Sequence, residues 1–217
     1  MQLRFRPPNP SPSDRASLLR VFGDEPTEEQ LAAAGGDAAK AKQFRRAVAR
    51  SLVTDAALAR TTVAEDEAGR VVGFVQWGTE AGEHVGLRLA WDVFRIFGPL
   101  GIRGFLKRDG LRAKVAIPAP DDAFHIAEVH VLASFRGMGI GAALLEEAER
   151  EARRQGANRL SLTTATNNPA RRLYERAGFA VVDQRTDPEF EAATGVAGRV
   201  LMAMELRGGS GAASTAP

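Results

Sequence analysis

Cysteine is absent from the 217-residue chain. Disulfides, a thiolate nucleophile and cysteine-ligated metals are therefore excluded. Histidine occurs only at positions 84, 125 and 130, tyrosine only at Tyr174, and tryptophan only at Trp77 and Trp91. With so few such residues, no standard histidine metal site and no basic stripe with interleaved aromatics can be read, so neither a metal nor a nucleic-acid partner is expected. The 29 basic and 27 acidic residues leave a formal charge of +2, with the signs interleaved. That is not the field of a dedicated polyanion binder. No run of about 18 apolar residues is present, so no membrane partner is expected. The start, MQLRFRPPNPSPSD, has no apolar signal core, and a cytoplasmic location is the corresponding expectation. No repeat with a period of about 20 to 50 residues is visible.

What remains is an ordinary globular composition, 44% hydrophobic and 26% charged, of a length suited to one domain. Residues 2–6 alternate and predict a first strand, stopped by Pro7 and Pro8. Ser13 or Asp14 can cap a short helix to about Phe22, and Thr27 starts a helical piece broken at Gly35 and Gly36. Residues 38–53 carry apolar side chains at 3/4 spacing and predict an amphipathic helix. Residues 58–65 and 71–78 read as a strand pair across a polar turn. An irregular apolar stretch over 82–118 reads as one or two short helices, either a wall over an acceptor pocket or a face that pairs two subunits. Arg88, Arg95 and Arg103 recur in it and suit an acceptor carboxylate or solvated helix faces equally.

Strand 124–132 and helix 139–155 are the clearest elements. The helix has an inward stripe of Ile140, Leu144 and Ala148, outward pairs Glu146–Arg150 and Glu149–Arg153, and Gly156 at its end. A strand over 159–164, a helix capped by Asn168 with Pro169 at its first position, and strands over 179–183 and 198–206 follow. The order predicts an α/β (α+β) fold class: a mixed, mostly antiparallel central sheet flanked by helices, with one parallel crossover. The domain spans 1–206, and the small polar residues of 207–217 read as a disordered tail.

Between strand and helix lie Arg136, Gly137, Met138, Gly139, Ile140 and Gly141. Alternate glycines let the backbone turn tightly, and the first helical N–H groups sit unpaired at the positive dipole end. Such a turn suits a pyrophosphate. The G-x-G-x-G spacing matches neither the dinucleotide fingerprint G-x-G-x-x-G nor a P-loop, since Ala142 follows Gly141 where Lys would stand.

VHVLASFRGMGIGAALL resembles the acetyl-CoA signature of the GNAT family of N-acetyltransferases, V-x-x-x-x-R/Q-G-x-G-x-G/A opening a helix. NNPARRLYERAGF, from Asn167 to Phe179, is similar to the family's second signature, N-x-x-A-x-x-L-Y-x-x-x-G-F. The match covers residues 124–183, and the first half fits by element order only. The resemblance implies the acyl-CoA N-acyltransferase fold and transfer of the acetyl group of acetyl-CoA to an amine acceptor, small molecule or peptide, in a ternary complex. It implies that Val129 and Val131 offer main-chain groups to the pantetheine arm, and that Arg136, Gly137, Met138, Gly139, Ile140, Gly141 and Ala142 cradle the pyrophosphate. Asn167, Ala170 and Tyr174 would flank the thioester. The strand of residues 124–132 would splay from that of 159–164 to admit the arm.

Acetyl transfer needs a neutral amine, whose conjugate acid has a pKa near ~10.4, and an acid for a thiolate of pKa near ~8.5. The oxyanion needs a donor, which a main-chain N–H at Val131 can supply. Tyr174 falls on the family's usual acid position. Glu128, and after it His125, are the named candidates for the base; a water-mediated base or one elsewhere is the remaining alternative. By strand parity Glu128 and His130 share a face, while His125 points away unless a bulge intervenes. Two other readings stay open: a non-catalytic acyl-CoA sensor, and an acyltransferase using a longer acyl-CoA or a hydroxyl acceptor.

Overall fold

In the computed structural model, residues 2–23, 25–78 and 87–206 are described. The expected tail over 207–217 and the first residues of the expected insert, 82–86, lie outside them. The chain begins with β1 (Arg4–Arg6), α1 (Pro12–Phe22), α2 (Glu28–Ala33), α3 (Ala38–Ser51) and α4 (Asp55–Leu58). Next come β2 (Thr61–Glu65), β3 (Val71–Trp77), α5 (Leu87–Asp109) and α6 (Leu111–Lys114). The second half holds β4 (Phe124–Val131), α7 (Ile140–Arg154), β5 (Arg159–Ala165), α8 (Arg171–Arg176), β6 (Ala180–Thr186), α9 (Pro188–Thr194) and β7 (Gly198–Glu205). Among the described residues seven strands form one sheet in the order β1-β2-β3-β4-β5-β7-β6, in which only the β4–β5 pair is parallel. This is the mixed α/β class expected.

Both faces of the sheet are covered, which is why β3 is buried along its whole length. On one face α7 places Ile140, Leu144 and Ala148 against Val72, Val75, Leu160, Leu162 and Met202. On the other, Leu18, Val21 and Phe22 of α1 and Ala49 of α3 meet Val63, Val71 and Phe74. Burial of each such large side chain contributes roughly 1.5–3 kcal/mol. The α7 face drew its pattern from the 3.6 period; outside it, Glu149 pairs with Arg153 as expected, while Arg150 pairs with Glu147 instead of Glu146.

Several boundaries differ from the sequence reading. Ser11 caps α1 by accepting from the Asp14 N–H. Asp14 does not cap; it is buried, and Arg6 of β1 donates to it at 2.6 Å while also holding Glu65 at 2.5 Å. The bonded Arg6 keeps the Asp14 carboxyl below its usual range. α4, capped by Thr54, occupies the front of the stretch read as strand 58–65. α8 starts at Arg171, not Pro169, because Asn168 closes a turn by accepting from the Ala170 N–H at 2.9 Å. α9 was not expected, although Asp187 followed by Pro188 and Glu189 is a helix-start pattern, and Asp187 accepts from the Phe190 N–H. The apolar insert is one long bent helix and a short one: α5 breaks at Gly98, whose φ is 66°, just before Pro99.

Candidate active site

The expected parallel neighbour strands, β4 and β5, pair at only three positions, Phe124 with Leu160 through Ile126 with Leu162. Beyond them β4 stays with β3 up to Val131, and β5 stays with β7 up to Ala165. The two strands therefore part in the middle of the sheet. A split of this kind leaves main-chain groups on the facing edge of β4 without ladder partners.

Which residues turn those groups inward follows from the ladder. The Leu132 N–H donates to Val72 on β3, and the Gly78 N–H to His125 on β4. Alternate residues of an antiparallel strand face the same neighbour. His130 and Leu132 thus face β3, and Val129 and Val131 present their N–H and C=O to the split. Val131 O accepts from Arg136 Nε at 3.4 Å, across the mouth of the opening.

The turn that follows leads to α7. Gly137 and Gly139 have φ of 79° and 82°, the left-handed region that side chains resist, and nothing lies near their missing Cβ atoms. No side chain caps α7 at Gly139. Its first N–H groups have no intrahelical partners, and Met138 just before them is 54% exposed. At Gly141 the constraint is contact: a Cβ would stand 2.9 Å from Leu173 of α8, so α7 and α8 approach closely there.

β4 carries a bulge. Gln76 opposes Glu128 and Trp77 opposes Ile126, so Ala127 has no counterpart on β3. The extra residue reverses the parity: Phe124, Ile126, Val129 and Val131 all pack in the core on the α7 side. His125, Glu128 and His130 are thereby brought to the same opposite face, which unbulged alternation would have divided. Glu128 Oε2 lies 2.7 Å from His130 Nε2, whose N–H donates to the carboxylate. The His130 ring is fixed between Phe22 at 4.8 Å and Phe74 at 5.2 Å. Both members of the pair stay partly open to solvent.

His125 lies deeper, 5% exposed, with Nδ1 2.9 Å from Ser161 Oγ on β5. Its Nε2 is buried without a hydrogen-bond partner among the described residues. Burial, helped by the positive charge of Arg199, pushes its pKa down to about 4, so the ring is neutral at pH 7. Tyr174 of α8 is buried edge-on to Phe179, ring centroids 6.2 Å apart. Burial raises its pKa to about 12, and the negative charge of Glu128 adds to the effect. The phenol thus keeps its proton at neutral pH, close enough to Glu128 to respond to its field.

Asn167 sits in the turn after β5 and donates to Glu28 of α2 at 3.2 Å; Ala170 is half-buried against the α7-side core. Glu29 of α2 meets Arg112 at 3.4 Å and Arg199 at 3.6 Å. This bracing of α2 over the His125 side of the sheet was not anticipated. The pair Glu28-Glu29 after the Thr27 cap reads locally as ordinary helix-start acid. Among the described residues no group of His, Asp or Glu side chains is arranged to hold a metal ion.

The sequence profile described as the Acetyltransferase (GNAT) family matches residues 27–179. The chain belongs to the GNAT acetyltransferase family, and with it to the acyltransferases. No curated protein sequence gives a significant match. Among solved structures, a GNAT acetyltransferase from Desulfovibrio desulfuricans superposes with a TM-score of 0.55 at 17% identity, covering 94% of this chain and 99% of that one. The PaiA N-acetyltransferase of Thermoplasma acidophilum, solved with coenzyme A, gives 0.53 at 14% identity over 94% and 99%. The ribosomal-protein-S18-alanine N-acetyltransferase of Escherichia coli gives 0.50 at 14% identity over 100% and 99%. At these identities the likeness is one of fold. The main-chain groups described above fit an acyl-CoA: an edge without ladder partners along the split for an amide-bearing arm, and a helix start with no side-chain cap for phosphates.

Proposed function

We propose that the protein is an N-acetyltransferase that passes the acetyl group of acetyl-CoA directly to an amine. The observation that carries this reading is the continuity of the open edge of β4 at Val129 and Val131 with the uncapped turn Arg136–Gly141. A pantetheine arm, which has both amide donors and acceptors, would pair with the former. The pyrophosphate would rest on the N–H groups of Gly137 to Ala142, at the positive end of α7. The thioester then falls near the bulge, between Glu128 on β4 and Tyr174 on α8, with Asn167 and Ala170 beside it.

In this arrangement Glu128 accepts the proton of the acceptor ammonium, directly or through one water, and His130 holds its carboxylate in place. A main-chain N–H of β4 facing the split, that of Val131, donates to the oxyanion. Tyr174, protonated at every physiological pH, donates to the departing sulfur. His125 is the weaker base, since a ring with a pKa of about 4 holds a proton poorly and lies too deep to meet an amine.

The test begins with cosubstrate binding. A ligand at about 100 times its Kd stabilises the fold by roughly 2.7 kcal/mol, several degrees in Tm for a domain of this size. Saturating acetyl-CoA should raise Tm by that amount, and Gly139→Glu combined with Arg136→Glu should remove the rise while leaving the ligand-free Tm within a few degrees. A panel of primary amines followed by thiol release should then give turnover that Glu128→Gln abolishes. Absence of any shift with acetyl-CoA, or turnover with hydroxyl acceptors alone, would overturn the proposal.

A further inference from the structure

α5 packs on α3, α2 and α6 rather than on the strands. Val93, Phe97 and Phe105 point inward, over Ala33, Ala41 and Phe44. Its outer side is not the polar face that a surface helix ordinarily turns to water. Leu87, Trp91 and Phe94 stand at i, i+4 and i+7, on one stripe, and are 92%, 60% and 40% exposed. The rings of Trp91 and Phe94 stack on each other at 5.8 Å. Past the bend at Gly98, Leu100 is 95% exposed and Leu106 59%. Single exposed leucines are commonplace, but five large apolar side chains on one outer helix are not.

Cations border this stripe. Arg88, Arg95, Arg103 and Lys107 of α5 are all exposed. Where α5 meets α3, a cavity of about 320 Å³ is lined by Gln43, Arg46, Arg50, Asp92, Arg95 and Ile96. Within it Arg50 donates to Asp92 at 3.0 Å, and the Arg95 side chain of α5 is exposed beside them. The outer side of α5 thus joins an apolar stripe to the exposed cations Arg88, Arg95, Arg103 and Lys107.

We propose that this face of α5 docks on an anionic phospholipid surface, with the stripe in the headgroup–acyl boundary and the arginines on headgroup phosphates. The charge complementarity selects the occupant. A second copy of the chain on this face would bring the same arginines to the interface, with only Asp92 and Asp109 of α5 to meet them. A single-stranded nucleic acid would use the stacked aromatics and the arginines. It would leave Leu87, Leu100 and Leu106 in water. An anionic bilayer engages both sets at once. The expectation of no membrane partner rested on the lack of a spanning run, and a helix lying in the interface needs no such length. No helix among the described residues is long and apolar enough to cross a membrane.

The experiment is co-sedimentation of the full chain with vesicles of phosphatidylcholine alone and with about 30% phosphatidylglycerol added, at low and at physiological salt. Trp91 serves as its own reporter, because Trp77, the other tryptophan, is buried. The anionic vesicles should pellet the protein and shift its emission to the blue, and the shift should vanish in Trp91→Phe. Leu100→Ser with Trp91→Ser, and separately Arg95→Glu with Arg103→Glu, should each weaken partitioning by about tenfold or more. All four sites are exposed, so an unchanged Tm confirms the fold. Four results would overturn the proposal. They are no pelleting with anionic vesicles, equal pelleting on neutral ones, a dimer in light scattering that Trp91→Ser dissociates, and pelleting that survives charge reversal. Binding of a single-stranded oligonucleotide without vesicle binding would reassign the face to nucleic acid.

Discussion

The two ends of β4 are made from similar residues and have opposite environments. At Phe124–Ile126 the strand is sandwiched between β3 and β5, and all three residues are buried. From Ala127 to Val131 only β3 is beside it, and every residue is partly open. The bulge at Ala127 is the boundary. The closed end contributes a histidine locked to Ser161 and held neutral, whereas the open end contributes a carboxylate braced by a histidine and an edge without ladder partners on the β5 side. A parallel pair that must diverge creates the cleft without sacrificing the core, because each strand keeps its other neighbour. The lesson is that identity of residue type, His125 against His130, says little; the position relative to the bulge decides whether a side chain is structural or available.

That contrast can be broken at either end. The largest effect is expected from Glu128→Gln, which should lower kcat by about 100-fold or more, the usual contribution of a general base, with Tm and acetyl-CoA binding unchanged. A near-normal kcat would move the base elsewhere. At the closed end, Ile126→Ala should cost about 2–5 kcal/mol of stability, read by denaturant unfolding, because it opens a cavity between α7 and the sheet. Its kcat on the remaining folded protein should stay close to normal.

His125 sharpens the same contrast through pH. Its pKa falls from 6.5 to about 4 on folding, so between these values the unfolded state binds more protons. The stability it supports is complete above pH 6.5 and is lost as pH falls towards 4, up to about 3 kcal/mol. His125→Gln should flatten that part of the stability–pH curve; an unaltered slope would show that the ring is not held neutral. The smallest effect belongs to Tyr174→Phe, which should reduce kcat by less than Glu128→Gln does because a thiolate leaves readily, while kcat of the native enzyme should show no descending limb from this phenol below about pH 10. A steep fall at pH 8–9 that Tyr174→Phe removes would place its pKa far below the raised value.

Much of the candidate site lies close together along the chain. Val129, Val131 and the turn from Arg136 to Ala142 lie within one strand–turn–helix unit, and alternate glycines and a 3.6-residue stripe mark such a unit locally. The start of α8 was read two residues early, because Asn168 supports a turn as readily as a cap. Asp14 looked like a capping residue until β1 brought Arg6 to it from across the sheet edge. Asn167 was placed by its motif, but its partner Glu28 is 139 residues away in sequence and carries no local sign of the contact.

The sequence by itself determined the elements whose signals are short-ranged: the β2–β3 hairpin, the β4–turn–α7 unit, and the absence of any thiol chemistry. Hydrophobic period, glycine conformation and composition act over a few residues, so one chain segment suffices to express them. Only the tertiary structure decided that β4 and β5 part after Ile126, that Ala127 bulges, and that His125, Glu128 and His130 therefore share a face. It alone placed Glu128 within electrostatic reach of Tyr174 and, among the described residues, left Leu87, Trp91 and Phe94 of α5 exposed. Strand register and bulges are set by pairing with neighbours distant in sequence, and burial, which sets the charge state of His125 and Tyr174, exists only once those neighbours have packed.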